Sequence, residues 1–213
     1  MEFRLDAKVF TTDNRQIGHV DRVVLDPKTK EVTDIVVRKG LIFTEDKVVP
    51  FDLVAGTRDG QVVLGEGVGD LQALPDFKEE YYVVLDQEEL GPGLPKEEYP
   101  LPLYYYPIAH EGAPTPYDRQ KTVTKTKRHI PEGTVALEEG AQVFSADGKH
   151  VGDVERVFVY PRTDQASHFL ISKGLLLKER KLIPIAWVST IGEDKVHLAV
   201  RSRLLEKLRR YEA

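Results

Sequence analysis

Six histidines (His19, His110, His129, His150, His168 and His197) and paired carboxylates such as Glu79-Glu80, Glu88-Glu89 and Glu97-Glu98 are among the side chains that could bind a metal or exchange protons. Metal ligation needs several such groups converging on one point, and general acid/base work needs two carboxylates facing each other across a cleft. No two histidines are close in sequence. Carboxylates at adjacent positions mark a solvated face instead. The chain has no cysteine, which excludes a thiolate nucleophile, a disulfide framework, a zinc–cysteine cluster and an iron–sulfur site. The sequence also lacks a serine elbow, a phosphate loop, a dinucleotide fingerprint, a His-Glu-x-x-His pair and an EF-hand loop. This reading predicts a protein that is not an enzyme, with no catalytic residues, no metal and no cofactor. The side chains left for function are contact-forming ones: Arg22, Arg156, Trp187 and the run Tyr104-Tyr105-Tyr106.

Two of these residues are copies of each other. The stretch from Val9 to Leu64 lies on Val143 to Leu198 without a gap, at a constant offset of 143 − 9 = 134 residues. Gly18 meets Gly152, Arg22-Val23 meets Arg156-Val157, and Lys39-Gly40-Leu41 meets Lys173-Gly174-Leu175. Pro27 and Pro50 meet Pro161 and Pro184. A unit of this length is too long for a stacked solenoid repeat and reads as a duplicated small domain. No histidine has a histidine at its repeat partner: His19 meets Asp153, His150 meets Gln16, His168 meets Asp34 and His197 meets Val63. A duplicated metal site would keep its ligands in both copies, so that site is excluded. For Arg22 and Arg156 two readings stand: a cross-strand salt bridge, or a repeated contact to an anion or partner. Trp187 replaces Leu53 of the first copy and reads either as core packing or as an interface anchor.

Each copy positions these residues on β structure. Short β-branched runs at 18–25, 32–37, 47–50 and 61–64 are separated by turn residues at close spacing, as in a small sandwich or barrel. Asp13-Asn14 and Asp147-Gly148 supply residues that tolerate a left-handed backbone in a tight hairpin. Gly40 and Gly174 fall where a strand runs into a loop and predict positive φ there. Pro50 and Pro184 cannot donate to a ladder and belong at a sheet edge or bulge. One helix is predicted, with Ser202 as its N-cap, Arg203 to Tyr211 as its body, and Leu204, Leu205, Leu208 and Tyr211 as its apolar stripe.

The chain of 213 residues is 41% hydrophobic, enough for a packed core. Of its 13 prolines, all but the four repeat-paired ones fall between Pro75 and Pro131. The predicted organisation is therefore a first domain at 1–75, a Pro/Tyr-rich connector at 76–131, and a second domain with the helix at 132–213. The connector starts acidic, ends basic and holds seven of the nine tyrosines. Two readings of it stand: an ordered strap packing its tyrosines on a domain, or plain disorder from 91 to 127. Tyr81 to Leu85 is apolar enough to form a further strand. No apolar run nears the ~18 residues of a membrane span. The N-terminus lacks a secretory pattern, which predicts a cytoplasmic protein.

The repeated pattern is an aliphatic residue, Gly-x-Val-x-x-Val, an x-Pro-x-Thr turn, an apolar strand, Lys-Gly-Leu and an aliphatic-Pro-x-x-x-Val ending. It resembles the PRC-barrel family. It stands here as Gly18-His19-Val20-Asp21-Arg22-Val23 with Val49-Pro50 and Val54, and again as Gly152-Asp153-Val154-Glu155-Arg156-Val157 with Ile183-Pro184 and Val188. The resemblance implies an all-β protein of two small PRC-type β-barrels in tandem. It also implies a role in docking to another macromolecule, as in the cytoplasmic domain of the purple-bacterial reaction-centre H subunit and the C-terminal domain of a ribosome maturation factor. The H subunit's transmembrane helix and the ribosome factor's different N-terminal domain are both missing, so neither specific role carries over.

The expected function is a non-catalytic protein-interaction or scaffold module with a protein partner, or a homo-oligomer built on the duplication. The net charge of −5 argues against DNA. An RNA- or ribosome-associated factor is the alternative, from the basic stretches 119–128 and 201–210. A small-molecule sensor is the third reading.

Overall fold

The computed structural model describes residues 1–40, 44–66, 68, 71–84, 122–174 and 179–212. The chain divides into two units, Met1–Lys78 with Arg128–Ala213, and Glu79–Lys127. In the first repeat the strands are β1 (Glu2–Arg4), β2 (Lys8–Phe10), β3 (Gln16–Leu25), β4 (Val32–Lys39), β5 (Glu45–Pro50), β6 (Val54–Arg58) and β7 (Gln61–Leu64). A two-stranded ribbon follows, β8 (Lys78–Val84) with β9 (Thr122–Arg128). The second repeat holds β10 (Val135–Glu138), β11 (Gln142–Phe144), β12 (His150–Val159), β13 (Ala166–Lys173), β14 (Glu179–Pro184), β15 (Val188–Ile191), β16 (Lys195–Leu198) and α1 (Ser202–Glu206). No helix among the described residues is long and apolar enough to cross a membrane.

The two sheets have the same order, β5-β4-β3-β2-β7-β6 and β14-β13-β12-β11-β16-β15. The end strands of each path do not pair with each other, so neither sheet closes into a barrel among the described residues. Even the irregularities repeat. The register shifts at Val9/Phe10 and Val143/Phe144, and again at Val20/Arg22 and Val154/Arg156. The repeated glycine lies where the long strand packs closest on its neighbour. A Cβ on Gly18 would lie 2.5 Å from the Arg38 carbonyl oxygen, and one on Gly152 would lie 2.9 Å from that of Ser172. Only a residue without a side chain lets β3 and β12 approach their neighbours this closely. Gly40 and Gly174 do have positive φ, 88° and 102°, as do Asn14 and Gly148 in the hairpin turns. Pro50 and Pro184 end the edge strands β5 and β14.

The first strand of each repeat is built into the other repeat's sheet. β1 pairs antiparallel with β12, and β10 pairs antiparallel with β3. Phe3 and Leu137 ride on these exchanged strands and are fully buried. One continuous core results, in which Phe3, Leu5, Val23, Ile35 and Leu64 belong to the same cluster as Leu137, Val157, Phe169, Ile183 and Leu205.

On the opposite face of the first sheet, Val24, Val36, Val48 and Ala136 form a second small cluster sealed by Phe77. The Phe77 amide donates to the Asp46 carbonyl at 2.7 Å. At the matching place in the second half, the Tyr211 amide donates to the Arg180 carbonyl at 2.8 Å, and its ring packs on Phe158. Phe77 and Tyr211 are themselves 134 residues apart, so the repeat runs on past Leu64 and Leu198 through Leu71/Leu205 and Leu74/Leu208. The one-turn 3-10 helix Leu71–Ala73 is the counterpart of α1.

The helix is shorter than its sequence pattern predicts. It spans Ser202–Glu206, with Arg201 at the N-cap position and Ser202 inside the first turn. Ser202 does not cap. Its amide and hydroxyl both donate to the Asp147 carboxylate, each at 2.8 Å, so the cap comes from the β11–β12 turn. Leu205 is buried, Leu208 partly so, and Leu204 is exposed. After Lys207 the chain leaves the helix, and the Tyr211 amide bonds to Arg180 on the edge strand β14.

Candidate functional site

The repeated arginines stand at matching bulges and reach the exchanged strand of the other half. Arg22 Nη1 donates to Glu138 Oε2 at 2.9 Å, and Arg156 Nη1 donates to Glu2 Oε1 at 2.8 Å. Both arginine side chains are about 85% buried, with relative exposures of 15% and 14%. Arg22 also lies 3.1 Å from Asp21 and stacks its guanidinium over the Phe77 ring at 5.5 Å from the centroid. Buried guanidinium groups require this kind of compensation.

The network continues outward differently in each half. Arg38 holds Asp21 at 2.7 Å and grips Asp46 through both Nε and Nη2. In the second half the acid is Glu155, the counterpart of Asp21, and the cation is Arg180, on the strand where Asp46 stood. The ion pair is kept while its cation moves from the position of β4, which is β13 in this half, to the neighbouring strand β14. Burial pushes the Asp21 carboxyl above its usual value, against the pull of Arg38 and Arg22. The Asp46 hydrogen bond raises Arg38, and the Glu155 hydrogen bond raises Arg180.

A groove of about 560 Å³ opens on the first half between the β2 turn and β6, lined by Phe10, Thr11, Asn14, Gly56, Arg58 and Gln61 among others. The matching surface of the second half carries aromatic and imidazole rings in contact. Phe144, the counterpart of Phe10, stacks on His197 at 5.6 Å and meets His150 at 5.6 Å, while His150 Nε2 lies 2.9 Å from Asp153 Oδ1. Among the described residues no group of three or more His, Asp or Glu is placed to hold a metal ion.

Trp187 sits in a 3-10 turn after β14, half-buried against the main core, and its carbonyl accepts the Ala199 amide at 2.8 Å. Tyr104, Tyr105 and Tyr106 lie outside the described residues, as does the 91–121 part of the stretch read as strap or disorder, while its last residues, 122–127, lie on β9. Tyr81 to Val84 lie on β8, which pairs with β9. Of the predicted residues, Arg22 and Arg156 occupy matching sites in the two halves. Sequence reasoning missed their partners Glu2 and Glu138, because these are not repeat counterparts: Glu2 matches Ala136, and Glu138 matches Arg4. It also missed Phe77 and Tyr211, whose signal was the continued 134-residue offset.

Together these observations define a mostly β protein of two like halves, each lending a strand to the other's sheet. Residues 5–72 match the family model of the PRC-barrel domain. Residues 137–205 match a second model, described as an uncharacterized protein conserved in bacteria (DUF2171). The two matches cover nearly the same span of the repeat, since residue 5 corresponds to 139 and residue 72 to 206. No match was found among the curated proteins.

Proposed function

We propose that this chain is a non-catalytic cytoplasmic scaffold, two PRC-type β-barrels in tandem, that works by docking a protein partner. The observation that supports it most is the use made of the shared arginines. Both are spent on ion pairs that tie one half to the other within one compact unit with a shared core. Duplicated surfaces held together in this way suit simultaneous engagement of a partner. Trp187 and the tyrosine run 104–106 are the aromatic anchors this reading assigns to the partner. In-cell crosslinking with purification of the chain, alongside light scattering of the pure protein, tests it. A stoichiometric protein partner or a defined homo-oligomer is expected. A strict monomer that crosslinks to nothing would overturn the reading.

A second reading, an RNA- or ribosome-associated factor, is favoured by one observation. Arg201, Arg203, Lys207, Arg209 and Arg210 are all exposed around α1. Binding of RNA that weakens steeply with salt would support it, and no binding at low salt would remove it. The small-molecule sensor reading has the groove beside Phe10 as its candidate site, and a ligand screen by thermal shift decides it.

A further inference from the structure

We propose that the face joining the two halves is a self-recognition surface between polypeptides, whose partner is a half from a second copy of this chain. Three observations carry it. The exchange is reciprocal: each half lends its first strand to the other, and Phe3 and Leu137 are buried only because the other half's sheet is there to receive them. The contact is two-fold: Glu31 bridges Gln165, its own repeat counterpart, and the Val32 amide to Asp164 carbonyl bond has its image in the Ala166 amide to Lys30 carbonyl bond, both 2.8 Å. A face that pairs with its own counterpart is the isologous arrangement of a symmetric dimer. Finally, the covalent link leaves and returns at one point. The His129 amide donates to the Phe77 carbonyl at 3.2 Å, so residues 78–128 form an excursion that spans no distance between the halves. Non-covalent contacts hold the pair.

The test uses the full chain with a protease-recognition sequence inserted within residues 79–127, folded first and then cut. The expected result is that the cut protein elutes as one species at the mass of the uncut chain at low micromolar concentration. When isotope-labelled and unlabelled cut proteins are mixed, native mass spectrometry then shows hybrid pairs. Separation of the halves on cutting overturns the proposal. So does a pair that survives but never exchanges, because recognition of a second copy requires the face to open. A charge-reversal series guards against a merely misfolded variant. Arg156→Glu lowers the fraction of paired halves several-fold, and Arg156→Glu with Glu2→Arg restores it, with each uncut variant checked for an unchanged β-sheet circular dichroism spectrum. Loss of pairing without rescue in folded variants would also count against the assigned contact.

Discussion

Glu31 and Gln165 hold the same position in the two repeats, and in the folded chain they pair with each other. A position meets its own counterpart only on a two-fold axis, so an internal pseudo-twofold passes between these two residues. The exchanged strands β1 and β10 and the paired arginines Arg22 and Arg156 are arranged about that axis. The duplication is therefore not two beads on a string. Each half completes the other's core.

Removing either arginine is expected to destabilise the whole unit by about 1–3 kcal/mol, because each leaves a carboxylate without its buried cation. Arg22→Ala is expected to cost more than Arg156→Ala. Arg22 also neutralises Asp21 and packs on Phe77, whereas Arg156 holds Glu2 and lies 3.8 Å from Glu155. Urea denaturation of the two variants checks the order, and equal losses would show that the Phe77 contact contributes little.

The constant offset made the strands, their turns and the paired glycines and prolines legible in the sequence. Those features are fixed by local backbone needs. Which sheet receives β1 was not legible. The two sheets present the same apolar pattern at the receiving strand, Val23 in one and Val157 in the other, so periodicity is satisfied by either choice. The end of the repeat was hidden for a different reason. Pro75 and Asp76 stand opposite Arg209 and Arg210, and only Leu71, Leu74 and Phe77 keep their character against Leu205, Leu208 and Tyr211. The helix appeared longer because Leu208 and Tyr211 fit a helical stripe, yet Tyr211 is drawn into an edge hydrogen bond with Arg180.

Gly18→Ala is expected to cost about 3 kcal/mol. The added methyl group would meet the Arg38 carbonyl oxygen at 2.5 Å and Val37 Cγ1 at 2.8 Å, both inside a paired strand that cannot move away alone. A mild effect in thermal melts would mean that the β3 bulge yields. Gly148→Ala is a useful contrast. Its site has open space but φ of 74°, so only the backbone conformation resists the change, and a loss of about 1 kcal/mol is expected.

Asp34 should make the protein less stable as pH rises. Burial raises its carboxyl above the ordinary 3.8, and the charge of Asp52 adds to this. Its Oδ2 is buried without a hydrogen-bond partner. A folded-state value above the unfolded one means the proton is bound more tightly in the fold. The stability tied to that proton is complete below pH 3.8 and is lost as pH climbs through the folded-state value. Asp34→Asn is therefore expected to stabilise the protein at neutral pH by about 1 kcal/mol and to make no difference in acid. Denaturation midpoints of both proteins from about pH 3 to about pH 7 check this. Parallel pH profiles would show that Asp34 is not the group responsible.

Asp147 should act in the opposite sense. The Ser202 amide, then the Ser145 and Ser202 hydroxyls, hold its carboxyl well below the usual carboxylate range. Its contribution is present above the unfolded value of 3.8 and is lost as pH falls toward the folded one. Because this carboxylate caps α1, the loss is local. Amide exchange at residues 202–206 is expected to speed up in acid, and in Asp147→Ala at neutral pH, while exchange in β12 and β13 stays slow. Equal acceleration throughout would place Asp147 in the global fold instead of the cap.

Phe77 and Tyr211 allow the extended repeat to be tested directly. Each donates its amide to the counterpart carbonyl, Asp46 or Arg180, and each covers the outer face of its own half. Their burial differs, since Phe77 is 1% exposed and Tyr211 is only half-buried. Truncation of a fully buried aromatic costs about 3–5 kcal/mol, so Phe77→Ala is expected to fall in that range. Tyr211→Ala, which exposes less new surface, is expected to cost about 1–2 kcal/mol. If the two positions play the same part, Phe77→Tyr should be poorly tolerated because its hydroxyl would be buried beside Val24 and Val48, whereas Tyr211→Phe should be nearly neutral. Urea titrations of the four variants decide this, and a neutral Phe77→Ala would remove Phe77 from the core and with it the extension of the repeat beyond residue 64.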